Sequence, residues 1–377
     1  MDKILRIIKN VTPYLVNDYF MTPLSQEKDI DFVDSLNGFL DNYVEFYKNN
    51  LISLVDEKVP YRGTDRTNIV IDKIEKLTTS IKKTVDFYYQ GKILEATNIF
   101  NKGLDKIFFK DISLTSDIPE STNFYRARID NSKLFSKSDL FHIKFELRHI
   151  VSTNRFSIPG FPALYLGDTT YVCWKEYGIQ KLRDLWFARF TNTRNLKVIK
   201  IQRIEDLLTE INSIAVDWQL SYILRYLITF PLIIACSIKV KHPSGNFKPE
   251  YIIPQLLLQY VSKNKDIDGI KFLSTKVDYS KLFNVEAYNY VFPVKSIQKN
   301  GFCSELEKIF HLTNPTSLEL EEIIYNPTTH PMIFGGGSSS DTRQIEMIEG
   351  LKSYYSKTSF GKIEGCLLSR EICDVQN

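Results

Sequence analysis

Residues 154–176, NRFSIPGFPALYLGDTTYVCWKE, place a tight turn, a strand and a helix in direct succession. A Pro-Gly turn at 159–160 leads into ALYLG at 163–167, a short apolar run that is typical of a β-strand. Asp168 or Thr169 then stands where the N-cap of a helix belongs. This succession predicts a strand that passes directly into a helix.

Three side chains of this stretch can face one cleft. Arg155 precedes the turn, Tyr165 lies on the predicted strand, and Glu176 falls about two turns into the predicted helix. By residue type alone this is a weak signal, because charged side chains near turns are usually only solvated. A functional interpretation therefore needs matching elements elsewhere in the chain.

Other β-like runs on both sides of this stretch set the fold class. They are FYRARI at 124–129, LKVIKI at 196–201, GIKFLST at 269–275 and YNYVFPV at 288–294. Predicted helices lie between them without regular alternation, which argues against a doubly wound parallel sheet. The sequence therefore predicts an α+β fold with a mixed β core.

The first 112 residues are predicted to form a helical bundle. Apolar residues recur three and four positions apart in three successive segments, 33–51, 70–88 and 93–108. Short links between the segments favour antiparallel neighbours. We interpret this part as a packing or partner-binding domain, since it carries no catalytic constellation.

Residues 300–377 form the last predicted part, an α/β extension packed on the core. A helix is predicted over 342–355, with β-like pieces at 317–324 and 362–368. The Gly/Ser run at 335–340 lacks the lysine of a phosphate-binding loop and is predicted to be a flexible loop. The predicted domains are 1–112 (helical), 113–299 (catalytic) and 300–377 (extension).

The composition of the 377-residue chain is that of a soluble globular protein, with 43% hydrophobic and 25% charged residues. A net charge of +3 argues against a dedicated nucleic-acid binder. The five cysteines are scattered and form no CxxC pair, so we expect reduced thiols and a cytoplasmic location. His142 and His149 could share a helix face but lack a third ligand, so we expect no metal site. The longest uncharged stretch, between Arg225 and Lys239, is too short to span a membrane.

Four elements, in this order, resemble the core of the RES domain family, which is named for an Arg, a Glu and a Ser. They are the Tyr-Arg strand at 125–126, Arg155 before the Pro-Gly turn, the Leu-Tyr-Leu strand with Glu176 on the following helix, and DGIKFLS at 268–274. Four elements in the right order are much more specific than any one of them. They cover somewhat under half of the chain.

The resemblance implies a fold similar to ADP-ribosyltransferases and an activity that destroys NAD. Members of the family are toxins that cleave the nicotinamide–ribose bond by hydrolysis or phosphorolysis, and a DNA-binding antitoxin usually holds them inactive. For this chain it implies NAD as substrate, water or inorganic phosphate as acceptor, and no cofactor. Expected partners are a protein antitoxin or regulator and a second copy of the chain, with no direct nucleic-acid or membrane contact.

Carried over to this sequence, the resemblance assigns catalysis to Glu176, Arg126, Tyr165 and Ser274. Cleavage builds positive charge on the ribose, which Glu176 can stabilise while Ser274 hydrogen-bonds the substrate or Glu176. Tyr165 can stack on nicotinamide or orient the ribose. Arg126 and Arg155 can each donate bidentate hydrogen bonds to the pyrophosphate. The predicted substrate-binding residues are Arg155, Arg128 and Ser157.

The chain departs from the family pattern, and other functions stay open. The family's Gly-Arg-Trp-Asn stretch reads NRFS at 154–157, which bears on how the ribose is held and on the acceptor. Phe272 stands where the family often has Tyr. The leading hypothesis is an NAD-degrading toxin or defence effector. The alternatives are ADP-ribose transfer to a macromolecule and a non-catalytic interaction protein built on the RES scaffold.

Overall fold

The computed structural model describes residues 2–55, 69–107, 115–129, 134–178, 180–324 and 341–376, so the predicted loop at 335–340 lies outside the described residues. The helices, numbered along the chain, are α1 Asp2–Leu15, α2 Phe32–Phe46, α3 Ile52–Val55, α4 Ile69–Tyr89, α5 Ile93–Ile107, α6 Lys137–Leu140, α7 Thr170–Glu176, α8 Ile204–Ile211, α9 Val216–Ser237, α10 Ile252–Lys263, α11 Ser304–Ile309, α12 Leu318–Ile324 and α13 Ser359–Leu368. The strands are β1 Thr115–Ile118, β2 Asn123–Ile129, β3 Ala163–Gly167, β4 Leu185–Asn192, β5 Leu196–Ile201, β6 Gly269–Leu273, β7 Leu282–Phe283, β8 Tyr288–Pro293, β9 Phe310–Leu312, β10 Thr316–Ser317, β11 Gln344–Ile348 and β12 Leu351–Tyr354.

The predicted fold class, α+β with an N-terminal helical region and a mixed sheet, is confirmed. The three predicted N-terminal helices correspond to α2 with the π-helical turn Tyr47–Leu51, to α4 and to α5. The predicted strands correspond to β2, β3, β5, β6 and β8. The apolar patterns of these segments therefore identified the type of each element correctly.

The chain forms two compact units that are not successive segments. The first unit comprises Met1–Ser116, Asn154–Phe156 and Ile199–Tyr260. The second unit comprises Asp117–Thr153, Ser157–Val198 and Val261–Asn377. The first unit thus adds α8, α9 and most of α10 to the N-terminal helices. The three-domain division at 112 and 299 stays a prediction.

Helix α9 packs against α1, α2, α4 and α8 in the first unit. Its segment Trp218–Ser237 is long and apolar enough to cross a membrane by length and composition alone, but 78% of that window is buried inside the structure. The Phe230 ring on this helix lies 4.8 Å from Phe20 and 4.9 Å from Tyr43, measured between ring centroids. The helix is therefore the core helix of its unit.

Tyr43 supplies a hydrogen-bond donor that α9 lacks because of Pro231. Proline has no backbone N–H, so the carbonyl four residues earlier, that of Leu227, loses its intrahelical donor. The buried Tyr43 hydroxyl donates to this carbonyl at 2.6 Å. A side chain of α2 thus satisfies a buried acceptor that the helix cannot satisfy itself.

We predict that Tyr43→Phe lowers the free energy of unfolding by about 1–3 kcal/mol, because it leaves the Leu227 carbonyl buried without a donor. In a Pro231→Ala background the backbone N–H is restored, and the same substitution should cost much less. Urea unfolding of the two single variants, the double variant and the native protein measures this coupling. Equal costs in both backgrounds would contradict the assignment.

The larger sheet has the strand order β1-β5-β6-β8-β3-β2-β4-β10, with β9 pairing β4 outside this path, and the smaller has the order β12-β11-β7. One face of the second unit's part of the larger sheet carries an aromatic core. Phe124, Phe190, Phe292 and Phe310 are fully buried there, and Tyr290 stacks beside Phe292. Helices α7 and α13 pack against the other face of β2 and β4. The sequence did not predict strand β4, which lies between these two layers.

The predicted elements of the C-terminal part are wrong. The segment predicted as a helix over 342–355 forms the hairpin β11–β12, whose turn contains Gly350 at a φ of +76°. The run 317–324, predicted as a strand, is mostly α12, and the Ser317 hydroxyl accepts from Leu320 N at its start. The run 362–368 lies in α13, which Thr358 caps. Its buried side chains are spaced as on a helix, a period that the strand prediction missed: Phe360, Ile363 and Leu367.

His142 is a buried structural histidine of the second unit, 1% exposed and packed among phenylalanine rings. Its Nε2 accepts from Cys303 N at 2.8 Å, so Nδ1 carries the proton and donates to the Ile143 carbonyl at 2.8 Å. Burial and the charge of Arg126 lower the pKa of His142, the bond to Ile143 raises it, and the resulting pKa is about 4. The ring is therefore neutral in the folded protein at neutral pH.

We predict that this histidine makes the protein acid-sensitive. The unfolded chain takes up the proton near pH 6.5 and the folded chain only near 4, so the stability present above 6.5 is lost as the pH falls towards 4. The loss between pH 7 and 4.5 should be about 2 to 3 kcal/mol. Urea unfolding across this range should show that His142→Gln flattens the dependence, whereas the exposed His149→Gln keeps it.

Candidate functional site

Helix α7 begins at a cap that fixes its direction. Thr169, rather than Asp168, is the N-cap, and its hydroxyl accepts from Val172 N at 3.2 Å. Beneath the first turn lies the buried carboxyl of Glu364. Its Oε1 accepts from Thr170 N at 2.8 Å and from the Tyr355 hydroxyl at 2.6 Å. Burial raises the pKa of Glu364, while these hydrogen bonds and the nearby Arg343 lower it. A carboxyl at a helix N-terminus holds that end in place.

Asp168 connects the end of β3 to β8. Its Oδ1 accepts from the Tyr290 hydroxyl at 2.5 Å, and its Oδ2 accepts from Tyr288 N at 3.2 Å. The ammonium of Lys271 on β6 lies 3.8 Å from Oδ2. Burial raises the pKa of Asp168 to about 6, whereas the charge of Lys271 lowers it. These contacts fix the residues on either side of Asn289 in β8.

Strands β2 and β3 diverge after one paired residue. Within their described lengths, Tyr125 opposite Gly167 is the one residue pair that joins them, whereas β2 pairs with β4 along its whole length. Side chains of α7 and of the residue after it donate hydrogen bonds to backbone carbonyls on the open side of β2. Cys173 Sγ donates to Tyr125 O at 3.3 Å, and the Tyr177 hydroxyl donates to Ala127 O at 2.9 Å. The sheet therefore opens between β2 and β3, with α7 along the opening.

Glu176 lies at the end of α7 and is held by two buried donors. Its Oε1 accepts from Ser274 Oγ and from Asn289 Nδ2, each at 2.7 Å. Ser274 and Asn289 are 1% and 6% exposed, whereas the Glu176 side chain is 35% exposed. Phe272 opposes Asn289 in the β6–β8 ladder, so Ser274, two residues further on, continues on the same face. Two neighbouring strands thus hold one oxygen of the carboxylate.

The other carboxylate oxygen of Glu176 faces a lysine. Lys276 Nζ lies 3.4 Å from Oε2 and also donates to the backbone carbonyl of Glu176. Lys276 N in turn donates to Ser274 Oγ at 3.3 Å. Half of the Lys276 side chain is exposed. The arrangement can present a negative charge, with its orientation fixed, to a cationic or hydroxyl-bearing group.

Arg126 on β2 is half-buried beside the opening, and its Nη1 atom is fully buried. Burial and the charge of Arg128 lower the pKa of Arg126, while Tyr177, Cys173 and Tyr165 raise it, and the resulting pKa is about 10. These groups therefore lie near the guanidinium. In the part of the chain that the structure describes, the buried Nη1 of Arg126 has no hydrogen-bond acceptor. A buried cationic donor without an acceptor suits an anionic ligand.

The remaining predicted site residues lie in different settings. Arg128 shares the face of Arg126 on β2 and opposes Trp186 on β4. The Ser157 hydroxyl donates to Ser152 O at 3.0 Å. Arg155 belongs to the first unit, where its Nη1 donates to Cys236 O at 3.2 Å and its guanidinium lies over the Tyr251 ring. The structure thus joins Glu176 to Ser274 directly and sets Arg126 near Tyr165.

Sequence reasoning missed Asn289, Lys276 and Tyr177. The sequence does mark Asn289 as unusual, because it is the one amide in the apolar run YNYVFPV. Asparagine is disfavoured in strands, so its presence there indicates a specific role. Lys276 follows Ser274 by two residues, and only the geometry shows that its side chain turns back to Glu176. Tyr177 follows Glu176 directly in the sequence.

The site does not contain an activated thiol. The thiol of Cys173, on α7 beneath Glu176, is buried, and burial together with the charges of Glu364 and Glu176 raises its pKa, although Arg126 lowers it. Cys173 is therefore a protonated, structural thiol. Among the described residues, no group of three or more His, Cys, Asp or Glu side chains suited to a metal ion occurs.

Fold and site together define a mixed α/β protein in which a Ser and an Asn from neighbouring strands hold a helix-borne Glu. No protein-family model and no solved structure matches the chain, so the resemblance to the RES family stays a prediction. The chain is 32% identical over 351 residues to a protein of Bacillus subtilis (strain 168) named "Putative toxin YopC", and the match covers 89% of this chain and 76% of that protein. The chain belongs to the family of that protein.

We predict that Asn289→Asp lowers the free energy of unfolding by about 2 kcal/mol at pH 7, because it puts a second carboxylate against Glu176. The pair raises one carboxyl pKa in the folded state only, so the loss grows as the pH rises from about 4 to 7. Asn289→Ala serves as the control, since it removes the donor without adding a charge. Urea unfolding at several pH values measures the free energy of unfolding of each variant. The loss should be independent of pH for Asn289→Ala and should grow with pH for Asn289→Asp.

Proposed function

We propose that this protein degrades NAD by cleaving the bond between nicotinamide and ribose. The observation that carries the proposal is the 2.7 Å hydrogen bond between Ser274 and Glu176. These two residues are 98 positions apart, and the motif order assigns both to one catalytic site. Their contact supports the resemblance to the RES family at the residues on which that family's chemistry depends.

The chemistry requires a fixed negative charge beside the ribose. As the bond breaks, positive charge builds on the ribose, and nicotinamide leaves without needing a proton. Ser274 and Asn289 orient the Glu176 carboxylate before substrate binds, so its charge already points where the transition state needs it. The second oxygen, Oε2, is available to a ribose hydroxyl once Lys276 moves.

The anionic part of the dinucleotide is assigned to the arginines of β2. The buried Arg126 Nη1 suits a pyrophosphate oxygen, and Arg128 extends the same strand face. Tyr165, close to Arg126, is assigned to the nicotinamide–ribose end. We give Arg155 no substrate contact, because its guanidinium is engaged with Cys236 and Tyr251 in the first unit.

We also propose a toxin role, which the name of the similar Bacillus protein supports. Loss of NAD in the cytoplasm would stop growth of the cell that contains the active enzyme. A protein regulator that holds it inactive is the expected partner. Water and inorganic phosphate remain the two candidate acceptors of the ADP-ribosyl group.

We predict that the purified protein releases nicotinamide from NAD and that Glu176→Gln lowers this rate at least about a hundredfold. The glutamine keeps an oxygen for Ser274 and Asn289 but removes the negative charge. Chromatography of the products with and without phosphate identifies the acceptor, since hydrolysis gives ADP-ribose and phosphorolysis gives its 1-phosphate.

Glu322→Gln is the matched control. Glu322 pairs with Arg183 on the surface of the same unit, and exposed pairs contribute little to stability, so the variant should keep full activity. Folded protein that releases no nicotinamide under either condition would overturn the proposed function. Label from NAD that stays attached to a protein or nucleic acid would indicate ADP-ribose transfer instead.

A further inference from the structure

The two oxygens of the Glu176 carboxylate have different kinds of partner. Oε1 accepts from two neutral, buried donors that belong to strand β8 and to the end of β6. Oε2 is paired with Lys276, whose side chain is half exposed. Buried neutral donors on a sheet are fixed, whereas an exposed lysine has a flexible four-carbon stem and can leave. One oxygen is therefore anchored and the other is covered by a movable cation.

We propose that Lys276 determines specificity for a phosphate-bearing substrate, an inference that rests on the proposed NAD cleavage. In the free protein its ammonium covers Oε2 of Glu176. When a dinucleotide binds, the ammonium moves to a phosphate oxygen, and Oε2 becomes free for the ribose. A substrate without phosphates does not draw the lysine away, so Glu176 stays neutralised and the substrate reacts slowly.

The energetics favour this exchange. An ion pair with one half-exposed partner is screened by water and is weak, so releasing it costs little. A pyrophosphate offers the same ammonium an anionic partner with several acceptor oxygens, and charge-assisted hydrogen bonds are the stronger kind. The covering cation also occupies the place where positive charge develops during cleavage, which makes it a competitor of the transition state.

A purely structural role is the alternative. Lys276 also donates to the backbone carbonyl of Glu176, the last residue of α7, and cations commonly cap helix C-termini. In that case the lysine would only hold Glu176 in position. Its removal would then reduce the turnover of every substrate alike, because all substrates use the same carboxylate.

The experiment compares NAD with nicotinamide riboside, which has the same scissile bond and no phosphate. In Lys276→Ala, kcat/KM for NAD should fall about tenfold or more, mainly through KM. For the riboside it should be unchanged or higher, because Oε2 is uncovered. Lys276→Arg keeps the charge and should retain most of the discrimination. Lys308→Ala removes an exposed lysine of α11 and should leave kcat/KM unchanged for both substrates.

Three outcomes overturn the inference. An equal fall for both substrates in Lys276→Ala would assign the lysine a structural role. An unchanged kcat/KM for NAD in Lys276→Ala would show that the lysine contacts no phosphate. Native protein that turns over neither substrate would overturn the proposed function and this inference with it. A calorimetric titration with ADP-ribose separates the first two results, since only a phosphate contact makes Lys276→Ala bind it more weakly than the native protein does.

Discussion

The opening between β2 and β3 is the constraint on which the arrangement of the site depends. Once the strands part after Tyr125 and Gly167, the carbonyls of β2 on that side need other donors, because buried backbone acceptors are costly to leave unpaired. The Cys173 thiol and the Tyr177 hydroxyl supply them, and both belong to α7 or follow it directly. The helix is thereby held along the opening, with Glu176 at its end.

Buried acidic groups fix the same helix at its other end. Glu364 receives the first N–H of α7, and Asp168, one residue before the cap, receives the hydroxyl of Tyr290. Burying a carboxyl is unfavourable unless hydrogen bonds compensate, and burial accordingly raises the pKa of both groups. Three elements, β8, α13 and α7, are linked by these bonds. The position of Glu176 therefore depends on contacts that hold the first turn of its helix as well as its side towards β2.

The site combines satisfied and unsatisfied polar groups. Ser274 and Asn289 are paired with Glu176 and hold it, which is a stabilising arrangement. Arg126 contrasts with them, since its buried Nη1 has no acceptor among the described residues. A protein that keeps such a donor gives up stability at that position, and departures of this kind are expected at functional sites.

The local elements and the order of the motifs can be predicted from the amino-acid sequence. Apolar periodicity predicted α2, α4 and α5, and the Pro-Gly turn predicted β3 and α7, because each signal lies within one short segment. After residue 300 the local patterns mislead, because the helical spacing of Phe360, Ile363 and Leu367 lies in a β-like run and a turn at Gly350 divides the segment predicted as one helix. Only the tertiary structure decided which distant residues meet. Asn289 lies 113 positions from Glu176 and Lys276 lies 100 positions from it, and strand pairing across β6 and β8, which no local pattern encodes, brings both to one carboxylate.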